Sequence, residues 1–84
     1  MITTQQLQLL KEGNKNAFEA LYRAYNARIY NFVLSMIGDA GVAKDITQDI
    51  FLQIWEKRLN IDLEGNLGGY LFKISQNICL LYTS

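Results

Sequence analysis

The sequence contains no proline, no histidine and a single cysteine, Cys79, in 84 residues. Each absence removes a class of function. Without histidine the chain lacks the side chain that ordinarily exchanges a proton near neutral pH, and the commonest metal ligand. A lone cysteine forms no internal disulfide, and as a nucleophile it has no imidazole to activate it. Cys79 is expected to pack as a small apolar residue. No apolar run approaches the roughly 20 residues that span a bilayer. The opening MITTQQLQLLKEGNK has neither the apolar segment nor the small-residue cleavage site of a secretory signal. The expectation is a cytoplasmic chain with no membrane partner.

An excess of either charge is also missing, since eight basic side chains balance eight acidic ones. Phosphate neutralisation supplies most of the affinity of a protein that binds nucleic acid unaided. A balanced chain is therefore expected to bind nucleic acid weakly, or only with help.

What is present is apolar and helical. Half the residues are hydrophobic, enough for one core, although a chain of this length buries only about 60–65% of the surface its unfolded form exposes. Turn signals are confined to EGN (12–14), GDAG (38–41) and EGNLGG (64–69). Every stretch between them has helical period. Thr3 or Thr4 can cap a short first helix with Leu7 and Leu10 on one face. Asn16 and Glu19 form a capping-box-like start to a long second helix. Its stripe of Phe18, Leu21, Tyr22, Tyr25, Ile29, Phe32, Val33 and Met36 predicts core. A third helix is expected after GDAG, ending near Lys57 or Arg58. An irregular stretch follows, then a fourth helix from Asn66 or Leu67 with Leu67, Leu71, Ile74, Ile78 and Leu81 inward. No strand period of two is sustained. The fold class is all-α, a compact bundle of three main helices plus a short N-terminal helix.

The third helix carries the most informative pattern, KDITQDIFLQIW (44–55). At about 100° per residue, Ala43, Ile46, Ile50, Phe51 and Ile54 share one side, with Trp55 at its margin. Asp45, Gln48, Asp49, Leu52 and Glu56 gather on the other. A merely solvated face mixes Lys with Glu to support its own helix. This one is almost all hydrogen-bond acceptor around an exposed leucine, as a surface for a basic partner would be.

Other patterns exclude more than they suggest. Asn60, Asp62 and Glu64–Gly65 imitate the opening of a calcium loop, but the twelfth position, where a bidentate acid is needed, is Leu71. GNLGGY lacks the Lys-Ser/Thr ending of a phosphate cradle. Asp45 and Asp49 lack a third ligand for a metal. The fourth helix and the stretch before it combine Tyr70, the cations Arg58 and Lys73, and the amides Asn60, Asn66, Gln76 and Asn77. That mixture suits stacking on and hydrogen bonding to unpaired bases, and equally an ordinary polar helix face.

Three blocks, AFEALYRAYNARIYNFVLSMIGD (17–39), AKDITQDIFLQIWEK (43–57) and GGYLFKISQN (68–77), resemble in order and spacing region 2 of bacterial sigma factors of the extracytoplasmic-function (ECF) group. The resemblance runs from about Leu7 to Asn77. It implies a promoter-recognition domain, not an enzyme, that needs no cofactor. It implies that Asp45, Gln48, Asp49, Leu52 and Gln53 dock on the Arg-rich clamp helices of the RNA polymerase β′ subunit. It also implies that the loop with Asn60, Ile61, Asp62 and Asn66 captures an extruded base of the −10 element on the non-template strand. Arg58, Tyr70, Lys73, Gln76 and Asn77 would extend that DNA contact. An anti-sigma factor covering these surfaces, and a dimer of the isolated fragment through Leu80, are further partners of the reading.

Two departures from the family pattern bear on it. A complete member carries a second domain that reads the −35 element, expected to be absent from this chain, so that residues 1–84 form region 2 alone. The family's N-x-x-x-D-Y-x-R ending is met by Leu81 and Ser84 in place of its polar and basic residues, so CLLYTS reads as a non-native tail. The rival readings are a small helical protein-interaction adaptor without a DNA role and a free-standing regulator of duplex DNA.

Overall fold

The computed structural model describes residues 2–63 and 65–83. Glu64, the acid of the calcium-like pattern, and Ser84, in the departing tail, lie outside the described residues. Four helices follow one another: α1 (Thr4–Lys11), α2 (Lys15–Ile37), α3 (Ala40–Glu56) and α4 (Leu67–Thr83), with a single 3-10 turn at Arg58–Asn60 between the last two. No strand occurs among the described residues. At 1.5 Å per residue the 23-residue α2 is about 34 Å long, close to the 36 Å long axis of the molecule. It is the spine against which α1, α3 and α4 pack, and α3 also packs on α4.

Each helix start has a local cause. Thr3 forms a reciprocal capping box with Gln6, closing two amides at the head of α1. α2 begins two residues earlier than expected. Gly13, at φ +90°, turns the chain, and Asn14 rather than Asn16 caps the helix by accepting from Ala17 N at 3.0 Å. Glu19 does not complete a box with Asn16; it pairs at 2.6 Å with Arg23 one turn on. Gly38, in the left-handed conformation, ends α2, and Asp39 directly caps α3, so α3 starts inside GDAG rather than after it.

One hydrophobic core joins all four helices. It holds Leu7 and Leu10 of α1, Leu21, Ile29 and Val33 of α2, Ile46, Ile50, Phe51 and Ile54 of α3, and Leu71 and Cys79 of α4. Cys79 is buried as expected, and burial pushes its thiol up from the ordinary value. Two polar side chains share this interior. Thr47 donates to Ala43 O at 2.7 Å and Ser75 to Leu71 O at 2.8 Å, each satisfying its hydroxyl on the preceding turn.

Four expected core residues are not in the core, and one of them, Phe32, is only partly buried, edge-on against Phe72. Tyr22 and Met36 lie at the edge of the α2 stripe and are exposed, because α3 and α4 cover a narrower strip than the full apolar face. Leu81 is 77% exposed, since the buried line of α4 runs through Leu71, Ser75 and Cys79 and turns Leu81 outward. Leu80 is exposed as expected.

Candidate functional site

Helix α3 presents three sectors, and the site residues follow from them. Its inward sector is the core row. Its outward sector carries Asp45, Gln48, Asp49 and Glu56, all exposed, with Leu52 at 55% exposure in their midst. No ion pair engages these carboxylates among the described residues, so their acceptor capacity faces solvent.

On one flank of this face Gln48 and Leu52 join Phe18, Tyr22, Phe51 and Trp55 around an apolar groove of 360 Å³. Its aromatic wall is fixed by ring contacts, Phe18 edge-on to Trp55 at 5.2 Å and Tyr22 tilted against Phe51 at 4.8 Å between centroids. The sequence pattern missed this groove because the α2 stripe assigned Tyr22 to the core. Leu52 is therefore the lip of an apolar groove rather than an isolated anchor.

On the opposite flank Gln53 turns away from the acid–amide face. It shares a groove of 320 Å³ with Lys57 of the α3 C-cap and Tyr70, Lys73 and Asn77 of α4. Tyr70 also lines a 240 Å³ cavity formed with Asn60, Asp62, Asn66 and Leu67. Cavity and groove thus meet at Tyr70 in one path with amides at its loop end and two lysines along its helix end. Lys57 is the member that pattern reading missed; its position just past the end of α3 was the only available signal.

Four expected nucleic-acid residues lie off this path or serve the fold as well. Ile61 lines the loop cavity beside Asn60 and Asp62, yet it is 2% exposed and packs in the core, so it anchors the loop. Arg58 does not join the path. Its guanidinium lies over the Trp55 ring and beside Gly13 in the α1–α2 turn. Gln76 is exposed on α4 but lines neither cavity nor groove. Asn66 has a structural duty as well, accepting from Gly69 N at 3.0 Å at the head of α4.

The path can hold a nucleotide strand in chemical terms. Lys57 and Lys73 suit phosphates, the Tyr70 ring suits a base face, and the amides of Asn60 and Asn77 suit base edges. Among the described residues no three His, Cys, Asp or Glu side chains group to hold a metal ion, and no helix is long and apolar enough to cross a membrane.

Comparison with known proteins agrees with this architecture. Residues 21–82 match the model of sigma-70 region 2. The chain is 24% identical over 80 residues to the ECF RNA polymerase sigma factor SigW of Bacillus subtilis (strain 168), covering 95% of this chain and 43% of that protein. It is 36% identical over 56 residues to the ECF RNA polymerase sigma factor SigK of Mycobacterium sp. (strain KMS), covering 67% of this chain and 29% of the relative. It thus spans less than half the length of these curated relatives. The solved NMR structure of an engineered region 2 of sigmaE in complex with GTAAAA has the same fold, with a TM-score of 0.87 at 19% identity over 95% of this chain and 83% of that one. The helix order, the register of the three sequence blocks and the family match together establish that this chain belongs to the sigma-70 region 2 family, among the ECF sigma factors.

Proposed function

We propose that this domain directs RNA polymerase to promoters by two separate surfaces on α3 and α4. The acid–amide face, Asp45, Gln48 and Asp49 with Leu52, docks on the Arg-rich clamp helices of β′. Carboxylates and guanidinium forks form charge-assisted hydrogen bonds, stronger than neutral ones. The path from Asn60 through Tyr70 to Lys73 and Asn77 takes the separated non-template strand of the −10 element, with an extruded base in the loop cavity. Polymerase performs the chemistry, and this domain supplies the choice of site.

The observation that carries the reading is the exposed acceptor face of α3, left without an internal cation among the described residues, beside a groove of opposite character on the other flank of the same helix. Balanced net charge fits a domain that binds DNA weakly by itself and relies on polymerase for most of the affinity. The engineered region 2 of sigmaE forms a complex with GTAAAA, and we infer that a short DNA strand of this kind suits the path here.

The test is titration of the domain against a purified β′ clamp-helix fragment, wild type beside Asp49→Arg. Binding lost in the variant supports the reading, and a folded wild type that ignores the fragment removes it. The adaptor reading gains from the apolar groove at Phe18, Tyr22 and Trp55, and it predicts indifference to the clamp fragment.

A further inference from the structure

The 3-10 turn between α3 and α4 sorts its side chains into three rows, because residues three apart eclipse in such a turn. It is closed by Asn60 N donating to Lys57 O at 2.9 Å and Ile61 N donating to Arg58 O at 3.2 Å. Arg58 and Ile61 form the inward row, one over the Trp55 ring and the other in the core. Lys57 and Asn60 form the row along the strand path, one in the α3–α4 groove and the other in the loop cavity. Leu59 stands on the third row, 70% exposed.

The fold makes no use of this side chain. Leu59 belongs neither to the core nor to the partly buried residues packed against it, and it lines neither cavity nor groove. Singly exposed leucines are ordinary on a soluble protein, but the setting of this one is not. Its backbone is pinned on both sides, by the anchored guanidinium of Arg58 and by the buried Ile61. The turn thus holds the leucine out as a fixed knob. Its Cα is one peptide, about 3.8 Å, from that of Asn60 in the cavity wall. A cation suited to phosphate, an apolar knob and an amide at the mouth of a cavity follow one another on one short turn.

We propose that Leu59 is a wedge that enters the base step beside the extruded nucleotide and keeps the two strands apart there. The inference rests on the reading that the loop cavity holds an extruded base. A base that leaves the stack uncovers the face of its neighbour, and proteins that kink or open a duplex insert apolar side chains, leucine among them, at such a step. Covering the leucine with that face takes its apolar surface out of water, which offsets part of the cost of unstacking. The wedge acts on paired DNA alone, since a strand already single has no step to hold open.

The test compares two DNA probes on wild type, Leu59→Ala and Leu59→Met. One is a mixed-sequence single-stranded hexanucleotide. The other is a hairpin duplex carrying the same hexanucleotide as an overhang, with 2-aminopurine in the last base pair, where its fluorescence rises on unstacking. Thermal melts check that each variant is folded, and affinity for the β′ clamp-helix fragment is measured beside them. Wild type and Leu59→Met are expected to raise the fluorescence and Leu59→Ala to lose the rise. Single-strand affinity should stay within about twofold across all three, as for an exposed substitution. No rise with wild type, or an equal rise with Leu59→Ala, overturns the wedge and leaves the strand reading standing. An equal loss of affinity for both probes makes Leu59 a plain strand contact and also overturns the wedge. Clamp affinity lost in Leu59→Ala with the rise intact assigns the knob to polymerase instead. A folded wild type that binds neither probe overturns both readings.

Discussion

The Arg58 guanidinium lies 4.5 Å from the centroid of the Trp55 ring and donates from Nη1 to the Trp55 carbonyl at 3.0 Å. One side chain thus covers an aromatic face and closes an orphan carbonyl at the end of α3. Its Nε is buried without an acceptor, so the guanidinium gives up solvent for the ring. This is the geometry of a structural staple between α3 and the α1–α2 turn. Arg58→Ala is expected to destabilise the domain by about 1–2 kcal/mol, the scale of a partly buried cation–π contact with one charged hydrogen bond. Arg58→Lys should recover little, because an ammonium offers no planar fork to the ring and carbonyl together. Urea denaturation of the three proteins measures this.

The two glycines with positive φ are expected to respond alike to alanine and differently to arginine loss. Gly38→Ala meets no atom within 4 Å, so its cost is conformational, about 1 kcal/mol. At Gly13 the added methyl would stand 3.6 Å from Arg58 Nη2, ordinary contact, so the conformational cost again dominates. The double variant Gly13→Ala with Arg58→Ala should depart from additivity, because the two positions touch. Gly38→Ala with Arg58→Ala should be additive. Chemical denaturation of the two cycles decides it.

Cys79 gives a pH dependence with a definite sign. Burial raises its thiol pKa above the ordinary 9.0, so above that pH the unfolded chain sheds a proton that the folded chain keeps. The unfolded state then binds fewer protons, and stability falls as pH rises. Stability is expected to be lost from about pH 9 upward, more steeply in wild type than in Cys79→Ala. Thiol alkylation should likewise need unfolding. A parallel pH slope in both proteins would show that the thiol is not protected.

Most of the architecture was legible because helix periodicity and capping chemistry are local. Leu7, Leu10, Ile46, Ile50 and Leu71 lie where their spacing puts them, and Gly38 and Asp39 mark a real boundary. The errors came where tertiary contact decides. Periodicity marks a stripe but not how much of it a neighbour covers, and so Tyr22, Met36 and Leu81 were misplaced. The acid–amide face was readable because Asp45, Gln48 and Asp49 depart from the usual surface mixture. The flank with Gln53, Lys57 and Lys73 was not, since it exists only when α4 crosses α3. The family resemblance assigned Ile61 and Arg58 to the DNA surface, and what it does not convey is that the Ile61 side chain packs in the core and the Arg58 guanidinium lies over Trp55.

The two proposed surfaces should be separable by substitution. Asp49 and Lys73 are both exposed and on different helices, so reversing either charge should leave stability within about 0.5 kcal/mol of wild type. Asp49→Arg places a cation against a cationic clamp surface and is expected to weaken clamp binding by about tenfold or more. Lys73→Glu places an anion on the strand path and is expected to weaken single-stranded DNA binding while clamp affinity stays unchanged. The salt slope separates a lost contact from a long-range charge effect, since a lost phosphate contact lowers it by about 0.7 on a single strand. If either variant weakened both partners equally at high salt, where exposed charges are screened within about 3 Å at 1 M, the two surfaces would be one. Unequal losses under the same screening would assign the acid–amide face of α3 to the clamp helices and the α3–α4 groove to DNA.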